Sequence, residues 1–221
     1  MSTKLLREQE RLDNRDKRLQ SILDAGKELF AERGLAVVNM KEIAEKAQIS
    51  RATLYRYFPS KEDLAFAIEH YFYREILLPQ YKEQLSKAKG NGFEKVSFHF
   101  KLILGSYRLY PDYYKFTGAF DHYFNYRQQP AELAEEMNRI FNKDFEIDPM
   151  VTFIQEGIDD GSIRPGIDPY LTAKTFDQTL LSLCQRMASR KEEMELEFNI
   201  KNSDDLIENL VAILLNGIKN T

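Results

Sequence analysis

Apolar residues recur at three- and four-residue spacings along almost the whole chain, which is the period of an amphipathic α-helix. Capping residues and helix breakers divide this pattern into separate helices. The pattern predicts helices at 16–33, 40–47, 51–58, 60–78, 93–109, 112–128, 130–145, 149–160, 169–190 and 203–218. The sequence therefore predicts an all-α protein.

The second and third predicted helices are close enough together to form a helix-turn-helix. Asn39 is an expected N-cap with Glu42 at the reciprocal position of a capping box, and only Gln48 and Ile49 separate the two helices. Gly34 is the expected C-terminal cap of the first helix. We therefore predict a compact three-helix head in which the second helix braces the third.

The third helix has an outward face whose chemistry suits DNA. Ser50 is its expected cap, while Leu54 and Phe58 lie four residues apart and can dock the helix onto a core. The other face carries Arg51, Thr53, Tyr55, Arg56 and Tyr57. Arginine can hydrogen-bond guanine in the major groove, a threonine methyl can contact thymine, and hydroxyl groups can bind phosphate. This helix is predicted to be a recognition helix.

The fourth helix restarts directly behind the recognition helix. Pro59 should end the third helix, and Ser60 with Asp63 forms a capping-box-like start for the next one. Lys61 falls in its first turn, where free N–H groups and the helix dipole favour an anion such as phosphate. The pattern runs to Leu78, with Pro79 as the expected end. This helix would link the DNA-contacting end mechanically to the rest of the chain.

Residues 15–70 resemble the DNA-binding domain of the tetracycline-repressor (TetR) family of bacterial transcriptional regulators. The strings ILDAGKELFAERGL and MKEIAEKAQISRATLYRYFPSKEDL carry the resemblance, and FIQEGIDDGSIRPGIDP at 153–169 resembles a recurrent stretch of the family's second domain. The resemblance implies a helix-turn-helix head at 15–60 and a larger helical domain for effector binding and dimerisation at 61–221, and residues 1–14 would precede the head as a basic N-terminal arm.

The resemblance also implies which residues contact DNA. The implied contacts are Lys41, Ser50, Arg51, Thr53, Tyr55, Arg56, Tyr57 and Lys61. Arg51, Thr53 and Arg56 are expected at bases, whereas the two tyrosines and Lys61 are expected mainly at phosphates. Two alternatives stay open, because Tyr55 could lie half-buried against the first helix and Lys61 could be a solvated surface charge.

Gln48 departs from the family pattern, which usually has glycine in this turn. A left-handed backbone at this position would cost a glutamine about 1 kcal/mol. Either the turn differs slightly here or this cost is accepted.

Charge is distributed unevenly along the chain. The protein has a formal net charge of −4, which taken alone argues against a nucleic-acid binder. Residues 1–61, however, contain 13 Lys or Arg against 9 Asp or Glu, a balance of +4, which leaves −8 for the other 160 residues. A basic head on an acidic body is expected when one end of a molecule approaches phosphates.

The N-terminal arm allows two interpretations. If it is helical, Lys4, Arg7, Arg11, Arg15 and Arg18 form a basic stripe that a polyanion would stabilise. Alternatively, it is a solvated, partly disordered leader in which acidic residues balance the basic ones. In the first case, removing the arm should weaken DNA binding and flatten its salt dependence.

Aromatic residues concentrate in one part of the second domain. Residues 98–126 contain eleven of the 27 Phe and Tyr residues. Pockets for lipophilic effectors are often lined in this way, and the candidates are Phe100, Tyr107, Phe116, Phe120, Tyr123 and Phe124. An aromatic stripe at helical spacing is also typical of plain core. His99 and His122 could orient a ligand, but no third ligand with suitable spacing supports a metal site.

The last two helices have wide apolar stripes that predict a dimer interface. Its candidate residues are Phe176, Leu180, Leu183, Met187, Leu210 and Leu214. These stripes could instead cover the domain's own core. The resemblance implies a symmetric four-helix contact that places two recognition helices at DNA half-sites about 34–36 Å apart.

These patterns favour a cytoplasmic, homodimeric repressor that a small lipophilic or aromatic effector releases from a double-stranded DNA operator. The alternative is a DNA-bound regulator whose second domain binds a protein. An enzyme is not expected, since no nucleophile–base pair, phosphate loop or metal spacing is present. Cys184 is the only cysteine, so no internal disulfide can form. The sequence contains no run of 18 apolar residues, so no membrane span is expected. No cofactor is expected either.

Overall fold

The computed structural model describes residues 3–125 and 148–220, and these are helical and joined by short turns. The head consists of α1 (Thr3–Arg33), α2 (Met40–Lys46) and α3 (Arg51–Tyr57), and α4 (Lys61–Tyr71) follows it. Those of the remaining body are α5 (Leu78–Leu85), α6 (Gly92–Leu109), α7 (Pro111–Asn125), α8 (Pro149–Asp159), α9 (Pro169–Phe198) and α10 (Asp204–Ile218). The all-α prediction is confirmed.

The predicted capping residues determine where the helices of the head begin and end. Asn39 accepts from the backbone N–H groups of Lys41 and Glu42, and the Glu42 carboxylate accepts from the Asn39 N–H at 3.0 Å. Ser60 and Asp63 form the same reciprocal pair at the start of α4. These bonds satisfy N–H groups that have no partner within the helix.

α1 begins earlier than the pattern predicts. Its backbone is helical from Thr3, whereas the sequence predicted a start at Asp16. The segment predicted as an arm is therefore continuous with the first helix of the head. At the other end, Gly34 closes α1 with a φ of 79°, a left-handed conformation that glycine adopts without steric cost.

Pro79 does not end the helix that precedes it. Between α4 and α5 the helix widens into a π-helical turn at Phe72–Leu77, where the Leu78 N–H donates to the Tyr73 carbonyl five residues earlier. The wider turn moves the carbonyl that would oppose the proline ring out of its way, so the helix continues to Leu85. The prediction that the helix stops before Pro79 is wrong for this reason.

α9 also extends past its predicted end. Arg190 was the expected last residue, and in the structure it is a kink with φ of −140° and ψ of 29° inside the helix. The helix then continues to Phe198, and Asn199 ends it in a left-handed conformation. The predicted helix at 130–145 and the last residues of the one at 112–128 lie outside the described residues.

α7 is the central helix of the described structure. It packs against α9 on one side and against α1 of the head on the other, while α6 packs against α8. The α6–α8 crossing is close, because a Cβ added to Gly92 would lie 2.0 Å from the backbone nitrogen of Gly157. The core therefore runs without a break from the head into the body.

Candidate DNA interface and the joint with the body

The recognition helix α3 is anchored by one face and presents the other. The Leu54 side chain is fully buried and Phe58 is 9% exposed, so both hold α3 on the core of the head. Arg51 and Arg56 are exposed on the other side, and Tyr55 is 50% exposed. Two cationic side chains and a tyrosine hydroxyl therefore point outward from a short, rigidly held helix.

The hydroxyl groups at the start of α3 bond to one another. The Ser50 Oγ accepts from the Thr53 N–H at 3.1 Å and lies 2.9 Å from the Thr53 Oγ1. Ser50 therefore acts as the helix cap, and its exposed position leaves a phosphate contact geometrically open. Tyr57 is half-buried, and Lys41 is exposed and 3.7 Å from the Glu45 carboxylate.

The turn between α2 and α3 is left-handed at Gln48, where φ is 56°. The Gln48 N–H donates to the Glu45 carbonyl at 3.1 Å, and the Ile49 N–H donates to the Ala44 carbonyl at 3.0 Å. The turn thus has the geometry that glycine would favour, and glutamine adopts it.

Lys61 is placed differently from the other predicted DNA contacts. Its ammonium group turns inward and donates to the backbone carbonyls of Leu35 and Val38, the latter at 3.1 Å. It also lies 5.3 Å from the centre of the Tyr123 ring. In this geometry the Lys61 ammonium holds the α1–α2 loop against α4, whereas the sequence predicted a phosphate contact from the first turn of α4.

The aromatic face of α7 forms a joint between head and body, which we define as the contact of α7 with α1 and α4. The Phe66 ring on α4 lies 5.0 Å from Phe120 and 4.7 Å from Phe124, and Phe30 on α1 lies 6.4 Å from Phe116. Near the start of α4, the Tyr123 hydroxyl donates to the Glu62 carboxylate at 2.5 Å. These α7 residues are therefore packed against the head.

Among the described residues, the six predicted pocket residues fall into two groups. Phe100 packs on Phe176 of α9 at 5.5 Å, and Tyr107 packs edge-on against Tyr114 at 5.6 Å, both away from the joint. The other four belong to the joint, and all six are buried. The aromatic stripe of α7 buries α1 and α4, which favours the plain-core alternative for these four residues, and the ligand pocket stays a prediction.

A groove of about 550 Å³ opens elsewhere, at the turn between α5 and α6. Its lining residues are Lys87, Lys89, Gly90, Phe93, Glu94, Ser97, Phe98 and Lys101. None of the six predicted pocket residues is among them.

A buried carboxyl group in the joint was missed by the sequence reading. Glu69 on α4 is 5% exposed, and the Tyr113 hydroxyl of α7 donates to its Oε1 at 2.8 Å. Its Oε2 has no hydrogen-bond partner among the described residues. Burial raises the pKa of this carboxyl from 4.5 to about 7, and the bond from Tyr113 opposes the rise. The available signal was its position on the inward stripe of α4, four residues after Ala65.

A second polar cluster lies between α5, α6 and α9. The Tyr81 hydroxyl and the His99 Nδ1 are 2.7 Å apart, and the His99 Nε2 is 3.5 Å from an Asp177 carboxylate oxygen. Burial raises the pKa of Tyr81, so its hydroxyl stays protonated and can donate to the ring. Within the described chain no group of three or more His, Cys, Asp or Glu side chains could hold a metal ion.

Half of the predicted dimer residues are covered by the chain itself. Phe176, Leu180 and Met187 are at most 6% exposed, since this stripe of α9 faces α7 and α8 within the same protomer. These three are therefore corrected to core positions. Leu183, Leu210 and Leu214 remain partly exposed, and Ile213 beside them is 58% exposed. The outward apolar surface is consequently narrower than the sequence pattern implied.

Two further properties limit the chemistry of the body. Burial raises the pKa of the Cys184 thiol to about 12, which leaves it protonated and unreactive. None of the helices described is both long and apolar enough to cross a membrane.

Comparison with known proteins places this geometry in a family. Residues 22–68 match the family described as bacterial regulatory proteins, tetR family. The chain is 30% identical over 170 residues to the fatty acid metabolism regulator protein of Bacillus subtilis (strain 168), covering 72% of this chain and 79% of that protein. A match over 72% of this chain is longer than the head alone and therefore includes much of the body.

Solved structures have the same fold over nearly the full chain. The ketosteroid transcriptional regulator KstR2 of Mycobacterium tuberculosis superposes with a TM-score of 0.63 at 21% identity, covering 92% of this chain and 96% of that one. FadR from Bacillus subtilis, solved in complex with stearoyl-CoA, gives 0.60 at 24% identity, covering 90% and 98%. This chain is a DNA-binding transcriptional regulator of the TetR family.

Proposed function

We propose that the protein is a homodimeric repressor whose operator binding is released by a small lipophilic effector. The observation that carries the DNA-binding part is the outward face of α3, where Arg51 and Arg56 are exposed on a helix fixed by buried Leu54. Arginine side chains presented in this way can reach guanine edges in the major groove. Two-fold symmetry would make the operator a pseudo-palindrome.

The effector part of the proposal is supported by the direct packing of body on head. α7 packs on α1 and contacts α4 through the Phe66 ring and the Glu69 carboxyl, so a ligand that prefers a different position of α7 would also favour a different position of α3. The B. subtilis relative is a fatty acid metabolism regulator, and FadR was solved with stearoyl-CoA. A long-chain acyl thioester is therefore the first effector to test.

The DNA-binding part predicts a base-specific loss of affinity. An operator is first selected from random double-stranded DNA with the full-length protein. Arg51→Ala or Arg56→Ala should then weaken binding to it by roughly 10- to 100-fold at constant salt and relax the sequence preference at one position of each half-site. Arg164→Ala, an equal change of charge on an exposed residue of the body, is the matched control. Equal weakening by all three variants would contradict base recognition.

The effector part is tested on the same operator complex. Stearoyl-CoA should release the DNA, while coenzyme A alone should leave the complex intact. If a transcription assay shows repression but no acyl thioester relieves it, the effector class is wrong and the DNA-binding part stands. Release only by a protein from the source cell would favour the protein-interaction alternative.

A further inference from the structure

Glu69 is enclosed by three elements at the joint. The Tyr113 hydroxyl donates to one of its oxygens at 2.8 Å, while the other oxygen has no hydrogen-bond partner in the described part of the chain. A buried carboxylate that accepts one neutral hydrogen bond is strongly disfavoured relative to the neutral acid. The neutral form is therefore the one that fits the packed joint.

The surrounding titratable groups give the carboxylate little support. α7 contributes the Tyr113 and Tyr114 hydroxyls and the Asp121 carboxylate, whose charge opposes ionisation of Glu69. The π-helical turn contributes Tyr73, and α1 contributes Lys27. The Lys27 ammonium lies 4.8 Å from the centre of the Phe72 ring, which stacks on Tyr113 at 4.5 Å. An aromatic layer thus covers the Tyr113–Glu69 pair beside the cation of α1.

We propose that Glu69 is a proton-operated switch in the joint: its neutral form lets α4 pack on α7 as observed, and its ionised form separates the two helices. Separation would admit water to the charged carboxylate and remove the cost of burying it. Only three residues separate the end of the recognition helix from the start of α4, so a shift of α4 away from α7 carries α3 with it. The switch would therefore link operator binding to protonation of this group.

The direction of the pH effect follows from the two states of the chain. The pKa of Glu69 is about 7 in the folded protein and 4.5 without the fold. Between these values the folded protein holds one more proton than the unfolded chain, so stability falls as pH rises. The stability that protonated Glu69 contributes is fully present below pH 4.5 and is lost as the pH rises through about 7. Glutamine keeps a neutral side chain of the same shape and should remove this dependence.

The first experiment measures Tm of the full-length protein by thermal unfolding from pH 5.5 to 8.5. The Tm of Glu69→Gln minus that of the unaltered protein should grow by several degrees across this range. Tyr113→Phe removes the donor that lowers the pKa of Glu69 and should shift the inflection to higher pH. Glu75→Gln, at an exposed carboxylate of the π-helical turn, should follow the unaltered protein throughout.

The second experiment tests whether the switch reaches the head, and this part rests on the proposed operator binding. Operator affinity at constant ionic strength should change several-fold between pH 6 and 8 in the unaltered protein and remain flat in Glu69→Gln. Parallel Tm curves for these two proteins would overturn the proposal, as would equal pH responses of their operator affinities. If Glu69→Gln does not fold, the proposal is overturned when the Tm curve of Tyr113→Phe has its inflection at the same pH as that of the unaltered protein. Loss of operator binding at every pH would count instead against the DNA-binding part.

Discussion

At Gln48 the energetic cost of a left-handed backbone can be measured by changing the side chain. Its φ of 56° lies in the left-handed region, where the Cβ of a non-glycine residue comes too close to the backbone at a cost of about 1 kcal/mol. We predict that Gln48→Gly raises the free energy of unfolding by about 0.5–1 kcal/mol, because glycine removes this cost but gains some unfolded-state entropy. Urea denaturation followed by circular dichroism measures the difference.

Gln48→Ala is the matched control for this prediction. Alanine removes the exposed side chain but keeps the Cβ, so it should leave the free energy of unfolding close to that of the unaltered protein. A stabilisation equal to that of glycine would mean that the side chain, and not the backbone conformation, is responsible.

The crossing of α6 and α8 is the element-scale feature with the tightest steric requirement. A Cβ on Gly92 would lie 2.0 Å from the Gly157 nitrogen and 2.6 Å from the Phe153 carbonyl oxygen, so the two helices would have to move apart. Gly92→Ala is therefore expected to lower the free energy of unfolding by about 1–3 kcal/mol. The measurement is again urea denaturation.

Gly105 provides a control on the same helix. A Cβ there would meet nothing within 4 Å, so alanine should stabilise α6 by about 0.5–1 kcal/mol through its better helix propensity. A loss of stability at Gly92 together with a gain at Gly105 would assign the loss at Gly92 to the crossing. If Gly92→Ala is as stable as Gly105→Ala, the α6–α8 distance in solution is larger than described.

The local signals in the sequence predicted the helices well because capping is a local interaction. Asn39, Ser50 and Ser60 each bond to backbone groups within three residues, so their positions could be read from the chain alone. Pro79 and Arg190 could not be read in this way. Whether proline stops a helix depends on a π-helical turn, and the kink at Arg190 lies inside a continuing helix, neither of which the local pattern specifies.

The candidate sites show what local periodicity cannot predict, which is the group that covers an apolar face. A stripe such as Phe116, Phe120 and Phe124 states that one face of a helix is apolar, but it does not state what covers that face. In the structure α1 and α4 cover it, whereas the sequence suggested a ligand. The inward contacts of Lys61 and Glu69 could not be read from the local pattern for the same reason, because the groups that they contact lie 23 to 44 residues away in the chain.

At the scale of the whole molecule, the surface that we propose for a second copy is the outward side of α10 with part of α9. We predict that Ile213→Asp, at a side chain 58% exposed, converts a dimer into monomers, because a carboxylate at the centre of an apolar contact loses its hydration. Sedimentation equilibrium measures the change. Operator affinity should fall with it, since two half-sites would no longer be bound together.

Leu196→Asp is the comparison for this variant, because Leu196 is 83% exposed but lies beyond the kink in α9. It should sediment as the unaltered protein does. Dissociation by Leu196→Asp together with an intact Ile213→Asp dimer would move the interface to the distal part of α9.

The π-helical turn at Phe72–Leu77 lies between α4 and α5 and determines how α5 is rotated about the helix axis relative to α4. Such a turn accommodates one residue more than an α-helical turn, and each residue of an α-helix advances the next by about 100°. Because the wide turn absorbs that extra residue, losing a single residue there would restore a regular helix and leave the direction of α5 relative to α4 nearly unchanged. A one-residue deletion in this turn is therefore expected to be tolerated, whereas the same deletion inside α4 would rotate everything beyond it by about 100° relative to the recognition helix.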